Sequence, residues 1–219
     1  MEAGGLSPRE ADVAPAPVAP DPTGGRAAAW WTPADPGPLG LAAFAGTTFV
    51  LSLMNANLVS AAGIGSVLAL AFAYGGLAQL LAGMWEFRTG NTFGAVAFTS
   101  FGAFWISFFF LVRIVPSTAV TLHGLSAYLW MWAIFTTYMF IASLRTTGAV
   151  ALVFLLLAIT FVLLAIGDMG NTGHKSIEHA GGFVGIATAI AAWYASFAAV
   201  LNSTFGRIVL PVVPLRSTP

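Results

Sequence analysis

The sequence predicts an all-α fold, a bundle of six transmembrane helices, on three observations. Between Leu39 and Val209 there is room for six apolar runs of about twenty residues each, the length a helix needs to cross a hydrocarbon core of about 30 Å. Only eight formal charges fall in that whole stretch. Across the chain 7 % of residues are charged and 58 % are hydrophobic, whereas a soluble domain is about a quarter charged, so water cannot be the main solvent.

The spans drawn on this basis are 39–60, 65–85, 93–115, 121–143, 148–167 and 178–203, with short connections that suit neighbouring helices of one bundle. Before them, residues 1–34 hold Pro8, Pro15, Pro17, Pro20, Pro22 and Pro33 among Ala, Gly and Asp, a composition that cannot offset chain entropy by burial. They are expected to be a disordered tail. The tail contains no apolar signal-peptide core, so the spans themselves are expected to direct insertion. Trp30 and Trp31, just before the first span, suit either the headgroup level or the protein rim. The domain reading is therefore a tail over 1–34, a transmembrane domain over 35–211 and a short C-terminal tail over 212–219.

Orientation follows from the basic residues. Arg9, Arg26, Arg88, Arg145, Arg207 and Arg216 fall on the side of the N-terminus, and Arg113 and Lys175 on the other. That imbalance places both termini in the cytoplasm, with the protein in the cytoplasmic (inner) membrane. Glycines such as Gly40, Gly75, Gly76, Gly83, Gly102 and Gly182 are expected to let helices approach closely, or in some cases to bend a helix or make room for a solute.

Composition also excludes function classes. A net charge of zero offers no basic face for nucleic acid. The absence of cysteine excludes disulfides, thiolate metal sites and cysteine nucleophiles. The run His174-Lys175-Ser176-Ile177-Glu178-His179 lacks the spacing of the His-Glu-x-x-His zinc motif, and only His123 remains as a further histidine, so no metal site and no cofactor are expected. Serine-nucleophile and P-loop patterns are missing too, which argues against an enzyme.

The stretch Asp35-Pro36-Gly37-Pro38-Leu39-Gly40-Leu41 reads as a helix start: the prolines lack a donor that a first turn does not need, and Asp35 can accept from its unpaired N–H groups. Its spelling resembles the Asn-Pro-Ala-Pro-Leu-Gly-Leu signature of the acetate uptake transporter family, the succinate-acetate permeases. The resemblance continues through Tyr74-Gly75-Gly76-Leu77-Ala78-Gln79, Ala82-Gly83-Met84-Trp85-Glu86, Gly90-Asn91-Thr92-Phe93-Gly94 and Ala97 to Trp105. It ends with Leu164-Ala165-Ile166-Gly167, His179-Ala180-Gly181-Gly182 and the run from Leu201 to Pro211. An aquaporin, suggested by the Asp-Pro-Gly-Pro, would need a second Asn-Pro-Ala half-helix, and none is present.

That resemblance implies a six-helix protomer, commonly in a hexamer, each with its own path for acetate and in some members succinate. It implies an apolar constriction from a Phe, a Tyr and a Leu, which match Phe44, Phe101 and Leu157 here. Phe101 lacks the family hydroxyl, and Asp35 and Gly37 depart from the family Asn and Ala. Met54 stands where the family has a His.

A bare carboxylate in hydrocarbon costs many kcal/mol, so passage needs a proton on the acid or donors along the route. Thr47, Thr48, Asn55, Gln79, Asn91, Thr92, Thr99 and Ser100 are candidate path residues; each can instead bond its own helix or fasten two helices. Glu86 and Arg88 form either a pair at the path's mouth, with Glu86 relaying protons, or a snorkelling interfacial pair. Arg113 attracts anions or reaches for headgroups, and its guanidinium cannot be the coupled proton. His179 is a second candidate relay or an interfacial side chain bonding a loop carbonyl. The expected function is proton-coupled transport of acetate and other short carboxylates such as succinate; a passive anion channel and a non-transporting sensor or scaffold are the alternatives.

Overall fold

The structure, a computed structural model, describes residues 31, 33–167 and 174–215. The chain divides into two units, residues 1–32 and 33–219, and of the first only Trp31, which is exposed, is described. Most of the tail read over 1–34 therefore lies outside the described residues.

Among the described residues, six helices long and apolar enough to cross a membrane follow one another. The first is α1 (Gly37–Asn55). The second, Ala61–Thr89, runs through α2 (Ile64–Phe72), a π-helical turn (Ala73–Ala78) and α3 (Gln79–Thr89). Then come α4 (Thr92–Arg113), α5 (Leu122–Ser143), α6 (Gly148–Gly167) and α7 (Lys175–Phe205). The helix start read at Asp35 is present: the Gly37 N–H donates to Asp35 Oδ1 at 2.9 Å.

Several boundaries differ from the hydropathy reading, and two of the larger differences have evident local reasons. The first span stops at Asn55 rather than 60, because Asn57 turns the chain at φ +58, a conformation asparagine tolerates. Leu58 and Val59 kept the apolar run going, yet both are exposed beyond the helix end. The second span continues past 85 to Thr89, where Gly90 at φ +78 provides a left-handed cap. Glu86 and Arg88 ended the apolar run without ending the helix.

The core lies between α1, α4, α5, α6 and α7. Alpha-helix α7 packs against both α1 and α6, α6 also against α5, and α3 against α4. A few side chains tie helices together. Ser196 donates to the Pro38 carbonyl at 2.7 Å and Ser126 to the Ala165 carbonyl at 2.9 Å. Ser107 and Tyr128 share a hydrogen bond at 2.7 Å. Close backbone approach does the rest: a Cβ on Gly83 would stand 2.9 Å from the Thr99 Cα, and one on Gly182 2.6 Å from the Ala56 Cα. Lipid supplies little hydrophobic drive between helices, so such contacts carry much of the association. The outward faces remain apolar, as Ile134, Ile141 and Phe197 illustrate, and suit hydrocarbon.

Candidate solute path

Alpha-helices α1, α4 and α6 all begin at the end of the bundle that carries the start of α1 and the end of α7, here the terminal end. Each contributes side chains to a common axis at successive turns. At the terminal end they enclose a vestibule of about 310 Å³. Leu41 of α1, Ala97 of α4 and Phe154 of α6 line its inner part, and Asp35, Glu86, Asn91, Thr147 and Asn202 its mouth. Toward the opposite end lies a second cavity of about 30 Å³, lined by Thr48, Ser52 and Asn55 of α1, Trp105 of α4 and Thr160 of α6, among others.

About two helical turns, roughly 10 Å of rise, separate the two sets of side chains, and the intervening turn holds one layer. Phe44 sits on α1 between Leu41 and Thr48, Phe101 on α4 between Ala97 and Trp105, and Leu157 on α6 between Phe154 and Thr160. These three residues are 4 %, 3 % and 3 % exposed, so none faces lipid. The Phe44 and Phe101 ring centroids are 5.8 Å apart. Phe44 and Leu157 also form part of the smaller cavity's wall.

Phe101 is surrounded by rings. Its centroid lies 6.0 Å from Phe154, 5.3 Å from Phe135, 6.0 Å from Trp132 and 6.5 Å from Phe161, the last nearly parallel to it. Phe104 adds an edge contact with Phe161 at 5.4 Å. The apolar layer is thus thicker than three residues. Phe104, Phe154 and Phe161 were not singled out from the sequence, although each stands three or four positions from Phe101 or Leu157, the spacing of neighbours on one helix face.

The polar candidates divide into groups. Thr47 is fully buried and donates to the Ala43 carbonyl of its own helix at 3.0 Å. Thr48 Oγ1, Trp105 Nε1, Thr99 Oγ1 and both polar atoms of Gln79 are buried without a hydrogen-bond partner among the described residues. Gln79 is 0 % exposed and directly follows the π-helical turn. Such turns widen a helix and recur at functional positions. Asn55 is half-buried on the small cavity. Thr92, at the first turn of α4, is exposed, and Ser100 is half-buried; neither lines these two cavities.

Asn91 performs two tasks at the vestibule. Its Oδ1 accepts from the Gly94 N–H at 3.1 Å, capping α4, and its Nδ2 donates to Glu86 Oε2 at 3.0 Å. Thr89 Oγ1 donates to the same carboxylate oxygen at 3.0 Å. Glu86 is 2 % exposed and turned inward to the vestibule instead of snorkelling outward, while Arg88 is exposed. Asp35 and Glu86 are the charged side chains of this lining, which includes no lysine or arginine among the described residues. His179 is half-buried at the opposite end, one residue from Glu178, whose Oε2 pairs with Lys175 at 2.7 Å.

A family model described as the GPR1/FUN34/yaaH family matches residues 23–217. Acetate permease A of Emericella nidulans is 42 % identical over 204 residues, covering 85 % of this chain and 68 % of the relative. The succinate-acetate/proton symporter SatP of Escherichia coli is 39 % identical over 183 residues, covering 82 % and 95 %. A solved structure of the bacterial acetate channel SatP superposes with a TM-score of 0.77 at 38 % identity, covering 83 % of this chain and 99 % of that one. Sequence and fold agree over the same transmembrane region, and the chain belongs to the GPR1/FUN34/yaaH family.

Proposed function

We propose that this protein moves acetate and other short carboxylates across the cytoplasmic membrane, with both termini on the cytoplasmic side. The path runs through the vestibule, the apolar layer of Phe44, Phe101 and Leu157, and the small cavity beyond. The observation that carries this reading is the position of those three buried side chains, one turn deep, between two partly polar cavities. Relatives named acetate permease and succinate-acetate/proton symporter support the choice of solute.

The layer acts by desolvation. An ion shedding water against rings and a leucine gains no ligand in return, while a small neutral acid loses little. Asp35 and Glu86 at the mouth repel a free anion, so the form that reaches the layer carries its proton. Glu86, buried and held by Thr89 and Asn91, is the candidate for exchanging that proton. Beyond the layer, the Thr48 hydroxyl and the Trp105 indole N–H offer polar contacts to a carboxyl group that leaves the rings. Gln79 and Thr99, whose side chains also find no hydrogen-bond partner among the described residues, lie along the second and third spans as further candidates. The assembly is a homo-oligomer, a hexamer by resemblance to the family. No cofactor or metal enters this account, and the chemistry is not enzymatic.

Uptake of labelled acetate and succinate into liposomes, with pH and voltage clamped independently, tests the reading. Saturable acetate uptake driven by an inward proton gradient is expected. Flux that ignores the pH gradient but follows voltage makes the protein a passive anion channel, and absence of carboxylate flux leaves a sensor or scaffold.

A further inference from the structure

The chain after α7 turns back across the terminal end of the bundle. Gly206, at φ +63, closes the helix. Asn202 then grips the returning strand: its Oδ1 accepts from the N–H groups of Val209 at 2.7 Å and Leu210 at 3.0 Å, and its Nδ2 donates to the Leu210 carbonyl at 2.8 Å. Tyr194 donates its hydroxyl to the Pro211 carbonyl at 2.6 Å. Residues 209–211 are therefore fastened to α7 by side chains.

The next residues hold a different helix, and through the backbone alone. The Val213 carbonyl accepts from the Gly148 N–H at 2.7 Å, the Val212 carbonyl from the Ala149 N–H at 3.3 Å, and the Leu215 N–H donates to the Thr146 carbonyl at 3.0 Å. Gly148 and Ala149 open α6, where amides have no acceptor inside the helix. The start of α6 is half-buried, and these three backbone bonds compare with four side-chain bonds from Asn202 and Tyr194 on the preceding residues, so this contact is the weaker of the two. Val213 adopts φ +52, a left-handed conformation that a β-branched residue takes only under constraint. Val212 lines the vestibule together with Thr146 and Thr147.

We propose that residues 212–215 form a flap over the cytoplasmic mouth of the vestibule, anchored to α7 through Asn202 and Tyr194. It peels from the start of α6 to let solute pass. The strain at Val213 favours release, and the paired amides of α6 favour return. The transport consequence rests on the function proposed above; the motion itself does not.

Two experiments test the flap, in a chain that has no native cysteine to interfere. A Cβ on Gly148 would stand 3.3 Å from the Val213 Cβ, near the separation of about 3.5–4.5 Å that a disulfide spans. In the Gly148→Cys/Val213→Cys protein, oxidation should lower acetate uptake about tenfold or more and a reductant should restore it, as expected for a locked lid. Equal uptake in both redox states, or failure of the pair to cross-link, overturns the proposal.

The second readout needs no transport. Gly148→Pro removes the N–H that makes the 2.7 Å bond, at a helix position where proline is well tolerated. In an Ala97→Cys background, it should speed labelling of the vestibule by a membrane-impermeant maleimide several-fold. An unchanged labelling rate makes the segment a fixed wall. Faster labelling in a protein that carries no acetate keeps the flap and removes the transport reading.

Discussion

The two cavities on either side of the apolar layer are built on opposite principles. The vestibule is large, about 310 Å³, and its polar character comes from carboxylates and capping groups at its mouth, with Asp35, Glu86 and Asn91 all near helix ends. The inner cavity is small, about 30 Å³, and draws on neutral groups alone: the hydroxyls of Thr48, Ser52 and Thr160, the Trp105 indole and, at the end of α1, the Asn55 amide. Charge is placed where water and backbone termini can support it, and neutral donors where only the helices are at hand. Under the proposed function, this asymmetry would sort by charge at one end and by size and hydrogen bonding beyond the layer.

Joining the two cavities gives the largest expected effect. Phe44→Ala removes a buried ring between them and should cost about 3–5 kcal/mol of stability, read as a lowered unfolding midpoint in detergent. Where the protein remains folded, bulkier monocarboxylates should enter alongside acetate. Unchanged kinetics and selectivity would take Phe44 out of the layer.

Phe101→Tyr probes the layer's chemistry instead of its volume. The rings packed around Phe101 provide no evident acceptor, and burying an unpaired hydroxyl there should cost about 1–3 kcal/mol. If the new hydroxyl instead reaches the permeating acid, the cost should shrink when acetate is present, so unfolding with and without acetate separates the two outcomes.

Glu86→Gln sharpens the contrast between a charged mouth and a neutral interior. The amide keeps the shape and can still accept from Thr89 and Asn91, so stability should change by about 1 kcal/mol or less. Uptake should lose its steep dependence on the pH of the vestibule side while retaining acetate over larger acids. A pH profile identical to that of the unaltered protein would remove Glu86 from proton exchange.

Much of the fold was legible in the sequence, because a bilayer forces each span to be long, apolar and helical. What hydropathy missed were features that change conformation without changing polarity. Asn57 bends the chain inside an apolar run, and the π-helical turn at Ala73–Ala78 preserves the helix while shifting its register. The Gly75-Gly76 pair was its visible trace. The segment after Pro211, read as a separate tail over 212–219, has its first four residues against the start of α6. Those bonds are made by backbone atoms, so their partners leave no mark in residue identity.

The site was legible unevenly for a related reason. Phe44, Phe101 and Leu157 were picked out by resemblance, and the structure brings them to one level of the bundle. Polar residue type alone was a weaker guide: Thr47 spends its hydroxyl on its own helix, Thr92 faces outward, and Asn91 serves as a cap while still touching Glu86. Facing direction depends on helix phase and neighbours, which a list of threonines does not carry.

The most direct test is acetate uptake into liposomes at clamped pH and voltage, comparing the unaltered protein with Phe44→Ala alongside ion leak through each. The account predicts acetate-selective, ion-tight uptake in the first and, in the second, admission of larger acids with a measurable ion leak. Identical selectivity and tightness in both would show that the layer between the two cavities is not the barrier.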